Sequence, residues 1–387
     1  MEKSREYSLL QKNCKIIFDR RQTALRQLRI YLQPETKGVI YINTFEVPDG
    51  LKIGNGNLYP ELASLISGEN KIMLIVDEVV DGLYGHKVYD YLSANAADVK
   101  RQFVRAGSLR EALLNAYYIV NKEIDTVIAM GGGKVLDVGK YASSMSNRRF
   151  ISIPTSISHD GVASPIAVLK FDKSNVHSLE CKIPTNIIID LDIIKNAPRK
   201  MILAGLGDLI SNLTALKDWK KAADLGKARM DDFAYIISAT SVRAILQHQH
   251  PDLSDNDFLT QLAESIVLSG LAMNITGNTR PSSGAEHLIS HAIDALGKGT
   301  FHGIQAAMAS VLVEYLYGGD YKAIESYLRS FGIPCTFEEL GLTYGDYVKA
   351  MRLAPTTRKG RYTILDETDM SDENLRRIYD AVYGEKT

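Results

Sequence analysis

The chain has 387 residues, 45% of them apolar and 24% charged, with a formal net charge of −1. That suits a soluble protein with room for two domains and their cores, and it excludes bulk electrostatic binding to nucleic acid or to an acidic membrane. No apolar run approaches the roughly 20 residues that cross a bilayer. Membrane insertion is therefore not expected, and the charged start MEKSREYSLLQKNCKIIFDRRQ lacks the apolar centre of a signal peptide. Cys14, Cys181 and Cys335 are widely spaced and odd in number, which suggests neither a disulfide framework nor a cysteine metal site. A reducing cytoplasm is the expected compartment.

Residues 1–45 carry many Arg and Lys among scattered Leu and Ile and are expected to form an N-terminal helical extension. IGNGNLYPELASLI (53–66) reads as a glycine loop entering a helix. NKIMLIVDEVV (70–80) holds the continuous apolar run of a strand buried on both faces. The helix-like GHKVYDYLSANA and the short strand RQFVRA follow. Residues 108–124 form an amphipathic helix in which Ser108 and Glu111 make a capping box. The strand TVIAM then leads into a glycine cluster, a helix and the strand RFISIP. Strands alternating with helices predict an α/β fold with a doubly wound parallel sheet. Beyond NIIIDLDIIKNAPRK (186–200) the periodicity is almost wholly helical. We therefore expect an α/β dinucleotide-binding domain over 46–195 and an all-helical metal-binding domain over 196–387, with the active site in the crevice between them.

In AMGGGKVLDVGKYAS (129–143), Gly131, Gly132 and Gly133 stand between a strand and a helix, with Asp137 and Lys140 one and two turns on. A helix start with bare backbone N–H groups binds phosphate, and glycine lets a pyrophosphate approach. The spacing differs from G-x-G-x-x-G, so a tight turn without a ligand is the competing reading. The next strand opens into SIPTSISHDGVASP (152–165), a hydroxyl-rich loop with His159 beside Asp160, and two such crossings make a cofactor crevice. Asp77 ends an earlier strand. It is either a ribose acceptor that disfavours a 2′-phosphate, and so favours NAD(H) over NADP(H), or a helix cap.

Three of the eight histidines fall in SSGAEHLISHAIDALGKGTFHG, as His287, His291 and His302. His287 and His291 share a helix face, Gly297 and Gly299 end that helix, and His302 opens the next. Adjacent antiparallel helices bring His287 and His302 together. Asp208, in AGLGDLISN, is the best carboxylate to complete a metal site, since an unpaired charge in that apolar helix is costly. Ordinary helix histidines are the alternative. The pattern is not H-E-x-x-H, because Glu286 precedes His287.

GGGKVLDVGK, SIPTSISHDGVASP, AGLGDLISNLTALKDW and RPSSGAEHLISHAI followed by HG resemble, in order over about residues 50–310, the sn-glycerol-1-phosphate dehydrogenases. That family lies in the metal-dependent, iron-containing alcohol dehydrogenase superfamily. The resemblance implies that Asp208, His287 and His302 hold one divalent metal, with zinc ahead of nickel and iron. It implies that glycines 131–133 cradle the pyrophosphate of NAD(H) or NADP(H), with Asp137 as polar support. Thr155 and Ser156 would lie along the nicotinamide, and Asp160 would contact substrate hydroxyls. The implied reaction is reversible reduction of dihydroxyacetone phosphate to sn-glycerol 1-phosphate. In it His291 is a proton relay or a packing histidine, and Arg280 is the expected anchor of the substrate phosphate. A homo-oligomer is expected. Ile304 after HG departs from the family's usual acidic residue, and the tail beyond about 320 matches no pattern. The alternatives are a glycerol or polyol dehydrogenase, a 3-dehydroquinate synthase-like cyclase, or a binding protein on the same fold. The SHDG loop argues against the cyclase, and the complete ligand set against the binding protein.

Overall fold

The computed structural model describes residues 45–66, 71–96, 98–171, 176–248 and 252–384. The helical extension expected over 1–45 falls, apart from Phe45, outside the described residues.

Six parallel strands form one sheet in the order β1-β8-β5-β4-β2-β3. They are β1 (Gly50–Gly54), β2 (Lys71–Val76), β3 (Asp98–Phe103), β4 (Thr126–Gly131), β5 (Arg149–Pro154) and β8 (Asn186–Asp190). The central strands are almost uninterruptedly apolar because both faces are covered. Ile72, Leu74 and Val76 pack on one face against α1 (Leu58–Leu65) and α2 (His86–Asn95). Met73 and Ile75 pack on the other against α3 (Leu109–Asn121) and α4 (Gly133–Ser146). Each such aliphatic side chain contributes about 1.5–3 kcal/mol by burial. Helix α3 starts at the expected capping box: the Ser108 hydroxyl accepts from the Glu111 N–H, and the Glu111 carboxylate accepts from the Ser108 N–H.

Two elements differ from the sequence reading. The glycine loop at 53–66 is preceded by a real strand, β1, whose residues Gly50–Gly54 pair in parallel with β8. Its sequence GLKIG has no apolar run to reveal it. An antiparallel hairpin of β6 (Ile166–Lys170) and β7 (Val176–Glu180) also interrupts the α/β alternation.

After Asp190 every described element is helical. The long helices are α6 (Arg199–Asp224), α7 (Asp232–Leu246), α8 (Asn256–Thr276), α9 (Ala285–Ala295) and α10 (His302–Leu316), after the short α5 (Leu191–Lys195). Then come α11 (Tyr321–Ser330), α12 (Tyr344–Thr357) and α13 (Asp372–Tyr383). Among the described residues only α8 is long and apolar enough to cross a membrane, with a mean hydropathy of 1.3. Its Leu259, Leu262, Ile266 and Val267 are buried in the shared core with residues of α6 and α7. Helices α6 and α10 cross at glycines: a Cβ on Gly303 would stand 1.9 Å from the Ala204 carbonyl oxygen, and one on Gly207 2.4 Å from the Gly303 carbonyl oxygen. That close approach sets Asp208 beside His302.

Candidate active site

The carboxyl ends of β4 and β5 finish level, Gly131 beside Pro154. Beyond them a cleft of about 240 Å³ runs to the helical layer. The start of α4 lies beside His159, which lines the cleft: Gly132 is its N-cap and offers no side chain to its N–H groups. Facing it, the Ser156 hydroxyl is buried without a hydrogen-bond partner, 3.6 Å from where a Cβ on Gly132 would lie. An orphaned hydroxyl beside bare helix-start amides fits a dinucleotide pyrophosphate and its neighbour. His159 leans over the same turn. A Cβ on Gly133 would lie 2.0 Å from its Nε2, so any side chain there would have to displace the His159 ring. The Thr155 N–H donates to the Gly131 carbonyl and ties the two loops together.

Asp137 and Lys140 lie behind this surface. Lys140 is wholly buried and donates to the carbonyls of Gly161 (2.6 Å) and Ile166 (2.8 Å), with Asp137 Oδ1 at 3.4 Å. Asp137 Oδ2 accepts from the Val168 N–H. The pair therefore clamps the loop that carries His159 and Asp160. Asp77 caps the turn after β2 by accepting from the Val80 N–H, and its other oxygen lies 3.7 Å from Lys134 Nζ.

On the helical side, donor atoms of Asp208, His287 and His302 lie within 4.8 Å of one another. Hydrogen bonds behind them decide which nitrogens face inward. The Ser290 hydroxyl donates to Gln305 Oε1 (2.8 Å), so toward His302 Nδ1, also at 2.8 Å, it can only accept. His302 is thereby protonated at Nδ1 and keeps a free lone pair on Nε2. Glu286 Oε1 accepts from His287 Nδ1 at 3.0 Å, which turns Nε2 toward Asp208 Oδ1 at 3.5 Å. Two imidazoles braced from behind and one carboxylate fit a divalent transition metal. The electrostatics agree. Burial opposes charge on His287, yet its hydrogen bonds to Asp208 and Glu286 hold its pKa up at about 9. The cluster thus favours a positive charge between His287 and Asp208. Asp208 is held below its ordinary value: burial opposes this, and His287 and His302 outweigh it. Burial, and then Asp208, push Asp160 up to about 6, and the Asp160 N–H donates to Asp208 Oδ2. His291 is exposed in the cleft and stacks on His302 with ring centroids 5.4 Å apart. The enclosing walls of the cleft, with the charges of His287, Arg358 and Arg361, push its pKa down.

Arg280 does not line the cleft; its guanidinium donates to the Tyr362 carbonyl. Arg358 does line it, from the tail in which sequence reasoning found no pattern. Glu286, Ser290 and Gln305 were also missed as braces, although Glu286 and Ser290 flank the histidines in the same helix.

This arrangement, a parallel sheet with a glycine-started helix facing a helical layer with a carboxylate and two imidazoles, defines a metal-dependent dehydrogenase of the iron-containing alcohol dehydrogenase class. The model of that family, iron-containing alcohol dehydrogenase, matches residues 53–198. The chain belongs to the glycerol-1-phosphate dehydrogenase family. It is 35% identical over 352 residues to glycerol-1-phosphate dehydrogenase [NAD(P)+] of Hyperthermus butylicus, covering 87% of this chain and 97% of that one. It is 38% identical over 284 residues to the Pyrococcus horikoshii enzyme of the same name, covering 71% and 82%. Among solved structures, glycerol dehydrogenase from Schizosaccharomyces pombe shares the fold with a TM-score of 0.70 and 19% identity, over 91% of this chain and 95% of that one. A probable glycerol dehydrogenase from Sinorhizobium meliloti 1021 does so with a TM-score of 0.67 and 19% identity, over 88% and 97%. The protein is a metal-dependent, NAD(P)-linked oxidoreductase.

Proposed function

We propose that the protein catalyses the reversible reduction of dihydroxyacetone phosphate by NAD(P)H to sn-glycerol 1-phosphate, with zinc as its metal. The observation that carries this reading is the convergence of Asp208, His287 and His302 on the cleft reached by the glycine-started helix. The names of the relatives supply the substrate.

When bound, the cofactor supplies the hydride and the divalent ion supplies a positive charge beside the reacting oxygen. Asp208, His287 and His302 would hold that ion, with Glu286 and Ser290 fixing the two rings. The glycines Gly131, Gly132 and Gly133 would leave room for the pyrophosphate on the amides of α4. Thr155 and Ser156 would flank the nicotinamide, and Asp137 supports their neighbouring loop. Asp77 would accept from the adenosine ribose and favour NAD(H). Asp160 would orient a substrate hydroxyl, and His291 would carry the proton to the reacting oxygen from a ring nitrogen. Arg280 would add positive charge at the phosphate end. We also propose a division into domains at 46–195 and 196–387, homo-oligomeric assembly and a cytoplasmic location.

NADH and NADPH oxidation with dihydroxyacetone phosphate and dihydroxyacetone over a metal series, with chiral analysis of the product, tests the reading. A preference for the phosphorylated ketone and an sn-1 product are expected. Equal use of both ketones, or the sn-3 phosphate, overturns it.

A further inference from the structure

We propose that Arg358 and Ser282, backed by Arg361, form the anion site that binds the phosphate of the substrate. This rests on the reading that the substrate is a phosphate ester. The segment before α9 and the segment after α12 interlock here. Arg358 Nη1 donates to Thr279 Oγ1 at 2.7 Å, and Arg361 Nη2 donates to the same oxygen at 2.8 Å. Arg361 Nη1 also donates to the Ser283 carbonyl, while Arg280 reaches back to the Tyr362 carbonyl. Three guanidiniums thus gather at one junction, and among the described residues none of them forms an ion pair with a carboxylate. Asp218 and Glu286 act on Arg361 only from a distance. Asp218 is occupied by the N–H groups of Ala285 and Ile364 and by the Tyr317 hydroxyl, and Glu286 by His287, Thr214 and the Gly284 N–H.

Arg361 is buried and Arg358 half-buried, and positive charge withdrawn from water without a carboxylate partner is costly, so the chain itself does not account for this cluster. Burial and mutual repulsion lower the pKa of Arg358 and of Arg361, the latter to about 9. A second observation is independent of charge. Ser282 is 4% exposed and lines the same cleft, and its hydroxyl has no hydrogen-bond partner. A phosphate dianion supplies what both lack: negative charge for the guanidiniums and an acceptor for the hydroxyl. Arg358 shares the cleft with His287, His291 and His302, so an anion there is tethered to the molecule whose carbonyl reacts. Arg280 stands outside the cleft and belongs to the scaffold of the site.

The test uses zinc-loaded wild type, Arg358→Gln, Arg358→Lys, Ser282→Ala and Arg280→Gln. In Arg358→Gln, kcat/KM for dihydroxyacetone phosphate should fall about 100-fold, mostly through KM. The ratio to dihydroxyacetone should collapse accordingly, and the inhibition constant of inorganic phosphate should rise. Arg358→Lys should recover part of the loss, Ser282→Ala should lose about tenfold, and Arg280→Gln should lose least. If wild type prefers the phosphorylated ketone and Arg358→Gln keeps that preference, the proposal is overturned and the substrate reading stands. If wild type uses both ketones equally, the substrate reading falls. Calorimetry with inorganic phosphate then decides the anion site alone: weaker binding by Arg358→Gln supports it, and equal binding overturns it.

Discussion

The two sides of the cleft handle the cations they withdraw from water in opposite ways. On the sheet side, Lys140 is wholly enclosed and finds two carbonyls and a carboxylate inside the chain. On the helical side, Arg358 and Arg361 find a hydroxyl and a carbonyl but no carboxylate. A buried charge with every partner present works on the fold, since it pins the loop of His159 and Asp160. A charge whose counter-ion is missing points to a molecule from outside. The histidine cluster resembles the second kind: both rings are braced from behind, His302 keeps a lone pair free in front, and His287 faces Asp208 there.

If that division is right, changes on the helical side should strike binding and changes at Lys140 should strike stability. The largest effect is expected from His287→Ala: retention of zinc after dialysis and turnover should both drop to background while the circular dichroism spectrum persists. Full turnover in this variant after exhaustive chelation would remove the metal assignment. Next, Lys140→Met should cost about 3–5 kcal/mol in denaturant unfolding, because it strands two carbonyls and leaves Asp137 without its cation. A loss below about 1 kcal/mol would mean that the clamp is not one.

Asp218 tests the charges behind the arginines. Burial, and then Glu286, push its pKa up to about 7, against the lowering effect of Tyr317 and two backbone N–H groups. An unfolded chain ionises this group near 3.9, so the folded protein binds the extra proton between those values. Its contribution to stability is therefore fullest below about pH 4 and declines as pH rises to about 7. Asp218→Asn should flatten the slope of stability between pH 5 and 7, and an unchanged slope would place the titration elsewhere. Arg358→Gln should not lower stability, since it removes an uncompensated charge beside Arg361, and inorganic phosphate should raise the melting temperature of wild type but not of this variant. The smallest effect is expected at Asp77. Asp77→Gly should shift the NADH-to-NADPH preference by a few-fold toward NADPH, since one oxygen is engaged in the cap and the other faces Lys134. A strong wild-type preference for NADPH would end the role given to Asp77.

Periodicity made the buried strands and the helical half readable, because their patterns repeat within a few residues. It failed at β1, where GLKIG is held by backbone pairing with a strand more than a hundred residues away. The histidines could be read from their spacing on α9 and α10, and the SHDG loop from its composition. The arginines could not: Arg358 meets Thr279 across 79 residues of sequence, and no local pattern encodes a contact between two irregular segments. Asp137 and Lys140 were visible as a motif, but their work as a clamp needed the loop folded over them.

The crossing of α6 and α10 at Gly207 and Gly303 works as a caliper. The jaws are two backbones in direct contact, with no compressible side chain between them, and the measured object is the gap between Asp208 and His302, where we propose the cation sits. A Cβ on Gly303 would meet the Cβ of Asp208 at 3.1 Å as well as the Ala204 carbonyl oxygen. Even the smallest methyl at either glycine therefore pries the jaws apart, and at Gly303 it does so beside Asp208 itself. The span between the jaws, and with it the room for the proposed cation, is set where the chain has no side chain at all.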